Sequence, residues 1–334
     1  MDAAGGIERT RGALVFGMTR IGHSDLDIFP LALGGNVFGW TADRDTSFAV
    51  LDAFREGGGD FIDTADSYSS WKPGNSGGES ETIIGEWLAS RKPAGIVVAT
   101  KVSQHPDFRG LAAANVRAAA EASLRRLGVE AIDLYYAHFD DESVPLEETV
   151  AAFGALVADG LVRHTAVSNY SAERIQEWIR IARDLGVAEP IAVQPHYNLV
   201  HRGDVEEHIV PVAQEHGLSL VPYFALAKGF LTGKYRSTDV TGQGSPRATA
   251  AAQDATPAGL RIIDALERIG DAHGVSIAST ALAWLRAQPS VAAPIASASQ
   301  VAQVADLLDG ARTDLDADEV FELNRVSEWT PATA

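Results

Sequence analysis

Four side chains able to move a proton stand at or just beyond the ends of three apolar runs: Phe61-Ile62-Asp63-Thr64-Ala65-Asp66-Ser67-Tyr68, Val97-Val98-Ala99-Thr100-Lys101 and Leu134-Tyr135-Tyr136-Ala137-His138. A buried lysine without a partner tends to lose its charge, and an adjacent carboxylate prevents this, so Asp63 and Lys101 are expected to pair. An ammonium beside a phenol favours the phenolate. The pairing therefore predicts a Tyr68 pKa below its reference of about 10, and a proton donor or acceptor useful nearer neutral pH. His138 would add a second hydrogen bond that orients a carbonyl oxygen. Such a site protonates a developing alkoxide but supplies neither hydride nor metal, so a reducing cofactor is implied. Taken singly, the Asp reads as a loop hydrogen-bonder, the Tyr as core and the Lys as an exposed strand end. The joint spacing is what points to chemistry.

The elements that position these groups follow a rhythm. Short apolar runs near 31–34, 60–63, 96–101, 132–138, 163–167, 191–194, 218–223 and 291–295 alternate with amphipathic segments of helical period. Gly128, Gly160, Gly186, Gly217 and Gly274 close several of those segments, where a left-handed cap is needed. Strand and helix alternating in this way imply parallel strands with right-handed crossovers, and eight strands suggest an α/β fold, a closed (β/α)₈ TIM barrel. The rival, an open doubly wound sheet, usually carries a G-x-G-x-x-G turn after its first strand. Leu33-Gly34-Gly35-Asn36-Val37-Phe38-Gly39 does not fit it.

Residues 1–12 read as a flexible tail and 13–334 as one barrel domain, opened by a β-hairpin of Ala13–Phe16 and Leu26–Phe29. Three polar stretches, Ser69–Gly78, Asp140–Pro145 and Ser237–Pro257, follow the second, fourth and seventh strands. In a barrel these long loops gather on the carboxyl face, where sites are built.

Composition narrows the partners. The 27 Lys+Arg against 45 Asp+Glu give a formal charge of −18, which opposes binding to nucleic acid or anionic membrane surfaces. The absence of cysteine removes thiolate nucleophiles and Cys-ligated metals and fits a cytoplasmic protein. Met1–Gly6 lacks the basic start and apolar core of a signal peptide, and no apolar run is long enough to span a membrane.

Several segments in order resemble the aldo-keto reductase family. They are Gly59–Tyr68, Ala99–Val102, Asp133–His138, Ala166–Tyr170, Val193–Asn198 and Gly229–Tyr235. The resemblance runs from about residue 20 to residue 310. It implies a nicotinamide cofactor across the barrel mouth and a tetrad of Asp63, Tyr68, Lys101 and His138, with Tyr68 as the general acid in reduction. It further implies that Ser168, Asn169 and Gln194 bind the carboxamide and that Tyr223 stacks on the nicotinamide. Gly35, Asn36, Phe224, Leu226, Lys228 and Leu231 would join the cofactor contacts, the stretch Phe224–Tyr235 covering the pyrophosphate. Ser297, Ser299 and Gln303 would meet the adenosine phosphate.

Two departures stand out. Phe224-Ala225-Leu226 replaces the family's frequent Ser-Pro-Leu, and no basic residue occurs between Arg286 and Arg312, where the family usually carries Lys or Arg. A 2′-phosphate is best held by charge-assisted bonds. Here Ser297, Ser299, Gln300 and Gln303 would act as neutral donors, helped by a helix N-terminus near residue 300. NADP(H) is expected by family habit, with NAD(H) as competitor. No metal site is expected.

The expected partner is a small carbonyl or alcohol, and Trp40, Trp71, Phe139 and Tyr170 are candidates for its pocket wall. Two other readings share the fold: a Lys101 Schiff-base lyase or aldolase, and a non-catalytic cofactor-sensing protein.

Overall fold

The computed structural model describes residues 17–239 and 246–328. Eight parallel strands form one sheet: β1 (Ala32–Gly34), β2 (Phe61–Asp63), β3 (Val97–Val102), β4 (Ile132–Ala137), β5 (Val162–Ser168), β6 (Pro190–Gln194), β7 (Ser219–Leu220) and β8 (Ile295–Ala296). Their spatial order is β7-β6-β5-β4-β3-β2-β1-β8. A bridge between Leu220 and Val291 links β7 to the segment entering β8, so the sheet closes into the expected barrel.

Alternation along the strands divides the interior in two. Phe61, Val97, Ala99, Leu134, Tyr136, Ala166 and Ile191 pack inside the barrel. Their neighbours Ile62, Val98, Tyr135 and Val167 face the surrounding helices. Successive residues of a strand point to opposite faces, so an apolar residue at each position fills both cores.

The amino-terminal hairpin differs from the expected one. Thr19–Arg20 pairs with Asp27–Ile28, while Ala13–Phe16 and the tail lie outside the described residues. Ile21, Leu26 and Ile28 join the inner core, so the hairpin closes the amino end of the barrel.

The five glycines read as caps have φ between 64° and 74°. Three further features had no periodic signal: the Gln104–His105/Phe108–Arg109 ribbon, a short helix at Ala248–Ala252 and a final helix at Ala317–Val326; the segment of helical period near 204–216 opens as a π-helix at Val205–Ile209 before its α-helical part, Val210–His216. The helix expected at residue 300 begins as a 3₁₀ turn, Val301–Gln303, and becomes α-helical only at Val304–Arg312.

Candidate active site

Strand parity explains why the four groups converge. Asp63 shares the inward face of β2 with Phe61, Lys101 that of β3 with Val97 and Ala99, and His138 follows Leu134 and Tyr136 by the same step of two. All three reach the carboxyl rim. Tyr68 returns on the loop after β2.

The Lys101 ammonium is fully buried. It donates to Asp63 Oδ1 at 2.7 Å, to the Thr64 carbonyl at 2.6 Å and to the Tyr68 hydroxyl oxygen at 2.9 Å. Its three donors are therefore all used. Asp63 Oδ2 accepts from Gln194 Nε2 at 2.9 Å. Because Tyr68 accepts from Lys101, its own hydrogen is free to be donated into the cleft.

The electrostatics correct the expected acidic phenol. Burial pushes the Tyr68 pKa up, and Lys101 pulls it down without overcoming that, so it lies above its ordinary 10.0. Burial likewise opposes the charge on Lys101, but Asp63 and Tyr68 outweigh it and hold the ammonium above 10.5. Burial and then the Lys101 charge hold His138 well below 6.5, so its ring is neutral. His138 Nδ1 is buried without a hydrogen-bond partner, which leaves Nε2 as the nitrogen able to serve a ligand.

A cleft of about 1090 Å³ opens over these groups. Such a volume exceeds the roughly 300–1,000 Å³ of drug-sized ligand sites, leaving room for a large cofactor beside a substrate. One wall is a continuous polar relay. Tyr223 donates to Asn169 Oδ1 at 2.7 Å, Asn169 Nδ2 donates to Ser168 Oγ at 3.0 Å and to the His138 carbonyl at 2.8 Å, and Ser168 Oγ donates to the Gln194 carbonyl at 3.0 Å. Asn169 holds φ +58°, and Phe224, Ala227 and Lys228 are also left-handed. Strain of this kind in non-glycine residues persists at ligand clamps.

At the far end, Ser297 Oγ donates to Asn36 Oδ1 at 2.7 Å, and Gln303 Oε1 accepts from the Ser299 backbone at 2.8 Å. A Cβ on Gly34 would sit 2.4 Å from Ser297 Oγ, so glycine keeps this part of the cradle open.

Of the sequence candidates, Asn36, Trp40, Trp71, Phe139, Ser168, Asn169, Gln194, Tyr223, Phe224, Leu226, Lys228, Ser297, Ser299 and Gln303 line the cleft with Asp63, Tyr68 and His138. Three do not. Tyr170 is buried against Trp178, ring centroids 5.7 Å apart, and Leu231 is turned into the outer core. Gly35 lies behind Gly34, its carbonyl accepting from Ser80. Nor does the Asp140–Pro145 loop reach the cleft, since Arg174 holds Asp140 with bonds of 2.7 and 3.0 Å.

Sequence reasoning missed Gly34, Gln104 and Arg247, all on the cleft wall, and did not single out Lys234 within the Phe224–Tyr235 stretch. Asp66 was read only as part of the strand end. It is fully buried, both its oxygens lack hydrogen bonds, and burial followed by the nearby Glu81 raises its pKa well above 3.8.

Residues 30–328 match the Aldo/keto reductase family. The chain belongs to that family. Membership indicates an oxidoreductase on a (β/α)₈ barrel and supports carbonyl reduction. Relatives carry two kinds of name. A probable voltage-gated potassium channel subunit beta of rice is 31% identical over 86% of this chain and 88% of its own. Norsolorinic acid reductase B of Aspergillus parasiticus is 29% identical over 92% and 83%, and an oxidoreductase of Bacillus subtilis is 30% identical over 92% and 95%.

Proposed function

We propose that the chain reduces an aldehyde or ketone at the expense of NADPH or NADH, with Tyr68 as the proton donor. The observation that carries this reading is the Lys101 ammonium, bonded at once to Asp63 and to the Tyr68 oxygen. When bound, the reduced nicotinamide supplies hydride to the carbonyl carbon. Ser168, Asn169, Gln194 and Tyr223 would hold its ring end, the Phe224–Lys228 turn its pyrophosphate, and Ser297, Ser299, Gln300 and Gln303 its adenosine end.

The chain's own groups divide the remaining work. Tyr68 and neutral His138 donate hydrogen bonds to the carbonyl oxygen, which polarises it before reaction. As charge develops on that oxygen, the Tyr68 proton passes to it. Lys101 stabilises the phenolate left behind, and Asp63 keeps Lys101 charged and fixed. Tyr68 is then reprotonated from solvent. Alcohol oxidation runs through the same groups in reverse.

The Schiff-base alternative needs a neutral amine, and Lys101 is held as an ammonium with its three hydrogens engaged. A cofactor-sensing role draws support from the relatives named as channel subunits. The deciding experiment is a panel of aldehydes and ketones assayed with NADPH and with NADH, Tyr68→Phe serving as control. Turnover of any carbonyl in the wild type that is lost in the variant supports reduction. Binding of cofactor without turnover across the panel supports sensing. Borohydride trapping of substrate on Lys101 would favour the lyase.

A further inference from the structure

Two histidines that the chemistry above does not use lie behind the cleft wall. The His196 and His201 rings are stacked, with centroids 3.9 Å and planes 10° apart. A tight turn brings them together: Asn198 N donates to the His201 carbonyl at 3.2 Å, and His201 N to the Asn198 carbonyl at 3.0 Å. The stack continues inward. His196 lies 5.4 Å from the Tyr223 ring at 23° and meets Phe224 edge-on at 5.2 Å. Tyr223 lines the cleft, so with one face against His196 it offers the other to a ligand.

The His196 ring is fixed in orientation as well as place. Asn198 Oδ1 accepts from Val200 N at 2.9 Å, while Asn198 Nδ2 donates to the Phe224 carbonyl at 2.9 Å and to His196 Nε2 at 3.3 Å. An amide nitrogen can only donate, so Nε2 accepts and the neutral ring carries its hydrogen on Nδ1. Burial, followed by His201 and Lys228, lowers the His196 pKa to about 4, which keeps the ring neutral near neutral pH. Tyr223 itself is pinned at two ends. Its backbone N donates to the Pro195 carbonyl at 3.0 Å, and its hydroxyl donates to Asn169 at 2.7 Å. The hydroxyl oxygen lies on the axis about which a tyrosine ring turns, so neither bond sets the plane of the ring. Contact with His196 on the hidden face does.

We propose that His196 is a positioning residue for the cofactor: by filling the hidden face of Tyr223 it fixes the plane on which the nicotinamide is laid. This rests on the reading above that a nicotinamide lies against Tyr223. A stacking surface already held in plane loses less freedom when its ligand arrives. The role asks for a flat ring at position 196, not for its hydrogen bond or its charge.

The test measures two dissociation constants by calorimetry. One is for the reduced cofactor that the wild type binds more tightly, NADPH or NADH. The other is for its counterpart without nicotinamide, 2′-phospho-ADP-ribose or ADP-ribose. His196→Ala is expected to raise the ratio of the first constant to the second about 3- to 10-fold, the effect of one lost stacking contact. His196→Phe, which keeps a flat ring, should stay within about twofold of the wild type, and His196→Gln, which keeps a polar partner for Asn198 without a ring, should behave as alanine. An unmoved ratio in His196→Ala overturns the proposal. So does equal weakening of both ligands, the mark of a merely structural role. A glutamine variant that binds like the wild type while phenylalanine fails also overturns it, giving the role to the hydrogen bond. Should His196→Ala not fold, His201→Ala at the exposed end of the stack takes its place and must raise the ratio by about twofold or more. Cofactor binding without turnover of any carbonyl would defeat the reductase reading, while the ratio still decides the role of His196. A wild type that binds neither cofactor defeats both.

Discussion

Lys101 Nζ stands 2.9 Å from the Tyr68 oxygen, yet the phenol remains less acidic than free tyrosine. The ammonium lowers the cost of the phenolate, but burial raises it further. At neutral pH Tyr68 is therefore a full-strength O–H donor, the form reduction requires. The benefit of Lys101 comes when the proton leaves, because the new charge then forms beside a fixed cation. An interaction that strengthens only as charge develops accelerates the step rather than merely binding the ground state.

The pH profile of reduction should reflect this. Tyr68 is held above 10.0 and Lys101 above 10.5, while His138 is held well below 6.5. Each group keeps its working form across the interval between. We expect kcat for reduction to be level from about pH 6.5 to about pH 9, with losses only outside it. Steady-state rates at saturating cofactor check this. A midpoint near pH 7 would show a phenol far more acidic than the geometry allows.

The Asp63–Lys101 pair is buried on both sides. Removing one partner leaves a charge without its counterpart, a loss of about 3–5 kcal/mol. Asp63→Asn and Lys101→Met should each lower the urea midpoint, and the double variant should recover about 1–3 kcal/mol of the summed loss. Strict additivity would mean that the pair contributes no coupling.

Asp66 offers a stability switch of opposite sign. Its folded pKa is raised, by burial and then by Glu81, so the folded chain binds the proton more tightly than the unfolded chain. The associated stability is complete below the unfolded pKa and declines as pH rises toward the folded one. Asp66→Asn, which cannot ionise, should therefore raise the melting temperature at pH 8 and lose that advantage in acid. The gain at pH 8 comes from the ionisation that asparagine cannot undergo, since its buried amide is no better satisfied than the carboxyl it replaces. An equal effect at both pH values would contradict the assignment.

Cofactor preference follows from the adenosine end. Ser297, Ser299, Gln300 and Gln303 line it, and no Lys or Arg occurs between Arg286 and Arg312. We expect kcat/KM for NADPH to exceed that for NADH by less than about a thousandfold, roughly 4 kcal/mol. Gln303→Arg should widen the gap by about tenfold, as a charge-assisted bond replaces a neutral one. Preferences measured in both proteins test the two statements together.

What was legible in the sequence followed from periodicity. Asp63, Lys101 and His138 are inward because Phe61, Ala99 and Tyr136 are inward two residues earlier, so alternation alone aims them at one mouth. Gly186 and Gly217 were readable because a left-handed cap has a residue preference. Tyr170 was not, since adjacency to Asn169 says nothing about direction: Asn169 turns into the cleft and Tyr170 onto Trp178. The sign of the Tyr68 shift needed the balance between burial and one nearby charge, which spacing does not supply. Arg247 sits in a polar stretch without period, and only the folded chain brings it over Trp40.

The most direct test of the account is the single-turnover rate of carbonyl reduction in Tyr68→Phe against the wild type, with cofactor binding measured alongside. Phenylalanine keeps the ring and removes the donor. The account predicts a rate lower by about 10²- to 10⁴-fold with cofactor affinity retained. A variant that reduces the carbonyl at the wild-type rate would show that the proton comes from elsewhere.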